Sequence, residues 1–259
     1  MIPLHYYVNK IPEIIKEINN NGIDLPNLTG SAFIGNGNAF HVARLYAMKY
    51  NGFVFRAEEV NRLPTNQKVC IISASGGKDS INAAKHFSDA VLLTCNPNAA
   101  SKKYAKETIT IPAEEEPPFY NVTTYAGMIY LLERNFLNLP KKDENLLKEL
   151  EYNSMIFIAS LKTHPIASMA ALKVREIFGK MALSLTREEA YHGWFLHPTR
   201  QEGLVTVDTD FELNEPYHLE GSLLELLCKL YYNIGLLQDK LKPSDPDYDR
   251  ILKLRNWKF

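Results

Sequence analysis

The stretch KVCIISASGGKDS, residues 68–80, limits what this chain can fold into more than any other. Val69, Cys70, Ile71 and Ile72 have no polar face, the pattern of a strand buried on both sides within a parallel sheet. Ser73, Ala74, Ser75, Gly76 and Gly77 turn the chain at its carboxyl end, and a helix is expected from about Asp79 to Phe87. Amides at such a turn suit a bound anion, and Lys78 adds a positive charge beside them. An ordinary strand-to-helix turn would show the same local pattern, so support has to come from elsewhere in the chain.

The flanking sequence repeats the unit. Ala32–Ile34 reads as a strand that ends in Gly35-Asn36-Gly37-Asn38, with a helix over Phe40–Tyr50. Strands are expected at Phe53–Phe55, Ala90–Thr94 and Thr108–Ile111, an amphipathic helix at Ile11–Asn20, and a long helix at Tyr120–Phe136. Alternation at this spacing predicts a parallel sheet wound with helices, with ligands at the carboxyl ends of the strands. Pro140–Asp143 marks the expected boundary, giving halves 1–140 and 141–259.

A second series follows: strand Met155–Ala159, helix His164–Phe178, strand Met181–Leu185 and helix Arg187–Phe195, with strand Leu204–Val207 closing the sheet. Ser222–Leu241 is an apolar-rich helix, and its breadth predicts burial against both halves or against another subunit. The tail from Pro243 to Phe259 is polar. The halves share order but not chemistry, because the second lacks the hydroxyl and glycine cradle. It carries instead Lys173, Arg175, Glu176, Glu188, Glu189 and His192.

Composition excludes several classes. A formal net charge of -1 and a pI near 6.7 give no electrostatic basis for nucleic-acid binding. No apolar run reaches membrane-spanning length and the amino terminus has no leader pattern, so a cytoplasmic protein without membrane association is expected. Cys70, Cys95 and Cys228 are scattered through apolar segments, and the 7 histidines show no ligand spacing. No metal and no cofactor are expected. Gly35-Asn36-Gly37, with Glu58 and Glu59 about twenty residues on, offers a dinucleotide-binding alternative. Phe40 occupies the third glycine position and counts against it.

Taken together, the loops GNGNAF and SASGGKDS resemble those of the SIS (sugar isomerase) domain family, and TCNPNAASKKYAKETITIPAEEEP is similar to that family's segment closing the sheet. In the second half, AALKVRE followed by EEAYHG resembles a pair of motifs in the isomerase part of glucosamine-6-phosphate synthases. The resemblance covers nearly the whole chain. It implies an α/β protein of two SIS-like halves, each a parallel sheet flanked by helices with flavodoxin-like winding, the second half shortened.

By that resemblance Gly35, Gly37, Asn38, Ser73, Ser75, Gly76, Lys78 and Ser80 would grip a sugar phosphate. Glu176 would shuttle a proton between adjacent carbons and His192 would open the ring. Lys173, one helical turn before Glu176, would steady the carboxylate or the substrate hydroxyls. The tail DPDYDRILKL resembles a family ending whose lysine engages the open-chain sugar, which makes Lys253 a further candidate. Lys78 stands in the register of a family hydroxyl, with Ser80 the nearest substitute. The implied activity is a phosphosugar aldose/ketose isomerase, an amino-sugar-phosphate deaminase or a non-catalytic sugar-phosphate sensor, and a homodimer is implied as well.

Overall fold

A computed structural model describes residues 2–117, 120–136, 138–194, 202–211 and 216–243. Two short helices open the chain, α1 (Leu4–Val8) and α2 (Ile11–Asn20). The first sheet follows as β1 (Ala32–Ile34), α3 (Asn38–Lys49), β2 (Phe53–Phe55), β3 (Val69–Ile72), α4 (Lys78–His86), β4 (Ala90–Thr94) and β5 (Glu107–Thr110). Its five parallel strands lie in the order β2-β1-β3-β4-β5. The winding reverses between β1 and β3, so the loops leaving those two strands open a crevice between them.

Helices α5 (Val122–Glu133) and α6 (Glu144–Leu150) lead to the second sheet. That sheet is built from β6 (Ser154–Ala159), α7 (His164–Phe178), β7 (Met181–Thr186), α8 (Arg187–Glu189), β8 (Gly203–Val207) and β9 (Tyr217–Leu219), and α9 (Leu223–Leu241) follows. Its four strands, all parallel, lie in the order β7-β6-β8-β9. Each sheet therefore begins with the same 2-1-3-4 winding, and the second is one strand shorter.

The expected elements form close to their expected bounds, with instructive departures. Strand β8 does not close its sheet: β9, three residues long, pairs beyond it through Val205 and Tyr217, and so short a strand leaves little pattern in a sequence. The helix expected at Arg187–Phe195 is one α-turn followed by a π-helical turn, Ala190–Trp194. Helix α5 is shorter than expected because Asn121 and Arg134, at its two ends, both adopt the left-handed conformation.

One large apolar core fills the space between the sheets, drawing Val42 and Tyr46 from α3, Ile129 from α5, Ile166 and Val174 from α7, and Leu227 and Ile234 from α9. Helix α7 packs on both α3 and α9, and α1 lies along α9, where Gly235 leaves room for the backbone of His5. The apolar breadth of α9 is thus covered by α1, α5, α6 and α7 of the same chain. It does not by itself call for a second copy. Smaller clusters cover the outer faces, around Ile71 and Phe87 on one sheet and Ile158 and Leu204 on the other.

Candidate active site

A cavity of about 580 Å³ sits at the crevice between β1 and β3. Gly35, Gly37 and Asn38 line it from one loop and Ser73, Ser75, Lys78 and Ser80 from the other, while Glu176 reaches it from α7. Residues 141 positions apart in sequence, Gly35 and Glu176, therefore share one cavity.

The loop after β3 is held from behind. The carbonyl of Ala74 accepts from Thr94 Oγ1 at 3.0 Å and from the Cys95 amide at 3.1 Å. That of Ser75 accepts from Asn96 Nδ2 at 2.9 Å, that of Gly76 from Ser101 Oγ at 3.1 Å and that of Gly77 from Ser80 Oγ at 2.6 Å. A peptide's N–H points opposite to its C=O, so tying down four successive carbonyls turns the amides of Ser75, Gly77 and Lys78 away from those partners. The Gly76 amide is already used, donating to Ser73 Oγ at 3.2 Å. These loop amides, together with the unfilled amides of the first turn of α4, are donors from which an anion could accept.

Gly76 lies behind the cavity rather than on its wall. Its φ is +63°, and a Cβ there would fall 2.2 Å from that of Ala99. Gly35 is required by close approach, since a Cβ would meet the Ala39 backbone at 2.6 Å. Ser80 is 3% exposed and its hydroxyl proton is committed to Gly77, so toward the cavity it can only accept.

Asn36, Asp79, Asn121 and Tyr125 also line the cavity and were not among the candidates read from the sequence. Asn36 donates to Asp79 Oδ2 at 2.7 Å and accepts from the Ala57 amide at 3.1 Å, which ties the two loops together. Asp79 is a carboxylate beside the loop amides, opposed by the charge of Lys78 one residue away. Asn121 joins the wall from the left-handed turn before α5. A lone Asn in a loop gives no sequence signal of such a part.

Beneath the lining, Lys173 is 0% exposed and its ammonium lies 2.6 Å from Glu176 Oε2. Glu116 caps α5, accepting from the amides of Val122 and Thr123 and from Thr123 Oγ1. Burial pushes its carboxyl up, while those hydrogen bonds and the charge of Lys173 pull it down. It stood in the quoted IPAEEEP segment, where three successive acids gave no means of choosing one. His192 is exposed in the π-helical turn after β7 and does not line the cavity. Lys253 lies outside the described residues. Among the described residues no group of three or more His, Cys, Asp or Glu could hold a metal ion, and no helix is long and apolar enough to cross a membrane.

No family model matches the chain, and no curated protein matches it by sequence. Solved structures do. A protein of Silicibacter pomeroyi provisionally described as a phosphosugar isomerase superposes with a TM-score of 0.71 at 16% identity, over 94% of this chain and 99% of that one. The C-terminal domain of glucosamine-fructose-6-phosphate aminotransferase from Francisella tularensis gives 0.69 at 15% identity, over 90% and 93%. Glucosamine-6-phosphate deaminase from Thermotoga maritima gives 0.64 at 13%, over 93% and 95%. At such identities the likeness is one of fold, and with two parallel sheets of the same leading order on either side of one core, the chain has the double-SIS fold of these proteins.

Proposed function

We propose that the protein is a phosphosugar aldose/ketose isomerase in which the first half, 1–140, holds the phosphate and the second, 141–259, supplies the acid/base groups. One observation carries this reading: Glu176, from the second half, lines the same cavity as the serine and glycine loops of the first. With the phosphate on the amides of Ser75, Gly77 and Lys78 and the hydroxyls of Ser73 and Ser75, the sugar carbons extend toward Glu176.

The reaction needs no cofactor. Glu176 removes the proton from C2 of the open-chain aldose as the C1 oxygen takes a proton, giving an enediol; the same carboxyl then returns its proton to C1 while the C2 hydroxyl gives up its own, which leaves the ketose. Lys173 fixes the carboxylate through one of its oxygens. Ring opening falls to His192. Its exposure away from its own cavity favours delivery from a second copy of the chain in a homodimer.

The fold shared with the Thermotoga maritima deaminase favours a second use of the same groups. With nitrogen on C2, the same proton transfer leaves a C2 imine, and water hydrolyses it to ketose phosphate and ammonia. Incubation with fructose, glucose, mannose and glucosamine 6-phosphates, followed by NMR, tests both. Aldose–ketose conversion supports the isomerase and ammonia release the deaminase. Tight binding without turnover would reduce the protein to a sensor.

A further inference from the structure

Isomerisation moves protons at oxygen as well as at carbon. The C1 oxygen has to gain one and the C2 hydroxyl has to lose one, and Glu176, engaged at carbon, does neither. Among the described residues of the cavity wall, the side chains that ionise in water are Lys78, Asp79, Tyr125 and Glu176. Lys78 and Asp79 belong to the loop after β3. With the phosphate of a hexose 6-phosphate on that loop, C1 and C2 lie at the far end of the sugar. Serine hydroxyls are alcohols like the substrate's own and ionise too reluctantly to relieve it of a proton. Tyr125 is left, and its phenol both donates and accepts.

The fold brings Tyr125 to the same part of the wall as Glu176. On α5, Asn121 and Tyr125 are four residues apart and share a face, and both line the cavity. On α7 the same spacing brings Leu172 and Glu176 to it. Helices α5 and α7 each pack on α3 and on α9, so the same two neighbours fix both faces. On α9, Tyr231 is wholly buried, and its phenol is raised well above its ordinary pKa by burial first and then by Glu176, Tyr125 and Glu116. The Glu176 carboxylate and the Tyr125 hydroxyl are therefore grouped around one buried point. Tyr125 is 5% exposed, and low exposure strengthens a hydrogen bond from its hydroxyl to a developing oxyanion.

We propose that Tyr125 is the catalytic acid and base on the oxygen side of the reaction, opposite Glu176 on the carbon side. The proposal rests on the phosphosugar isomerase reading of the cavity. Glu176 takes the C2 proton, the freed pair closes the C1–C2 double bond, the C1 carbonyl pair moves onto its oxygen, and that oxygen takes the Tyr125 proton. The products are protonated Glu176, an enediol and a phenolate. In the return half the phenolate takes the C2 hydroxyl proton, the C2 carbonyl forms, and C1 recovers the proton from Glu176. Both side chains end as they began and no co-reactant is consumed. In a cis-enediol the two oxygens lie on the same side of the double bond, so one phenol oxygen serves both.

Tyr125→Phe keeps the ring that packs in the core and removes the hydroxyl. Turnover of glucose and mannose 6-phosphates, followed by NMR, should fall by about 10²- to 10³-fold, the usual cost of losing one oxyanion donor. Calorimetry uses two unreactive ligands: 5-phosphoarabinonohydroxamate copies the two oxygens of the enediolate, while 1,5-anhydroglucitol 6-phosphate has no C1 oxygen and cannot open. In the variant the hydroxamate should bind about tenfold or more weakly, and the anhydro sugar should stay within about twofold. Unchanged turnover overturns the assignment. So does an equal loss for both ligands, which would make Tyr125 a residue of cavity shape. The parent supplies a check should the variant not fold: it should bind the hydroxamate about tenfold or more tightly than the anhydro sugar, and equal affinities overturn the oxygen-side donor. If Glu176→Gln loses turnover and Tyr125→Phe does not, only this inference fails. If the parent converts neither sugar phosphate, the isomerase reading fails and this inference with it.

Discussion

The ammonium of Lys173 lies 2.6 Å from Oε2 of Glu176, one turn further along α7, with the lysine wholly buried and the glutamate side chain 26% exposed. The pair thus spans the wall of the cavity, the cation inside and the carboxylate at the surface. One carboxylate oxygen is fixed by the lysine, and in the proposed mechanism the other takes the substrate proton.

Glu176→Gln keeps the side chain's size and removes its basic oxygen. Turnover should fall by about 10²- to 10⁴-fold, the usual worth of general-base assistance. Sugar-phosphate affinity, which the proposal assigns to the loop after β3, should change by less than about tenfold. Undiminished turnover in the variant would move the base to Glu188 or Glu189.

Lys173→Met removes a buried cation and leaves Glu176 and Glu116 without it. Breaking a buried pair costs about 3–5 kcal/mol when the survivor stays buried. Glu176 is partly hydrated, so a loss of about 2–3 kcal/mol is expected by urea unfolding. A stability equal to the parent's would show that the ion pair is energetically neutral.

Ser75→Ala should weaken phosphate binding and leave the unfolding midpoint unchanged, because Ser75 is exposed and its carbonyl, not its hydroxyl, makes the loop's structural contact. Gly76→Ala should do more, combining a positive φ with a clash against Ala99, at a cost of at least about 1–3 kcal/mol. Calorimetry with fructose 6-phosphate separates the two variants from the parent. Parent-like binding in both would remove the loop from the site.

The proposed delivery of His192 requires two chains. The apolar edge strands give such an assembly surface to cover, with Met181 65% and Leu183 47% exposed on β7. Light scattering at micromolar concentration should give twice the chain mass, and a monomer would leave His192 to act within its own chain.

Stability should fall on acidification because of His41. Its folded pKa of about 4 lies below the ordinary value of 6.5, chiefly through burial and then through Arg44. Below pH 6.5 the unfolded chain takes up the proton that the folded one refuses, so stability is full above that pH and is lost as pH drops toward 4. The loss should reach about 2 kcal/mol by pH 5. His41→Gln should show a smaller drop between pH 7 and pH 5 in urea unfolding, and an equal drop would assign the acid sensitivity elsewhere.

What the sequence determined by itself is the repeated unit of strand, turn and helix. A run such as VCII has no polar face to offer solvent, and glycine with serine at its end admits few conformations. From that unit came the parallel sheets and the two loops of the crevice. Nearby motifs also placed Lys173 and Glu176 on one face of one helix, because three residues make nearly a full turn.

Tertiary structure decided what local pattern cannot encode. Only the packing of α7 on α3 brings Glu176 to loops far away in sequence, and only the burial of Lys173 separates it from a surface lysine. The carbonyl anchors Thr94, Asn96 and Ser101 carry no motif, since their function depends on where β4 sits beside β3. Strand β9 and the capping role of Glu116 were hidden for the same reason. Each is defined by a partner across space, and periodicity reports only on neighbours along the chain.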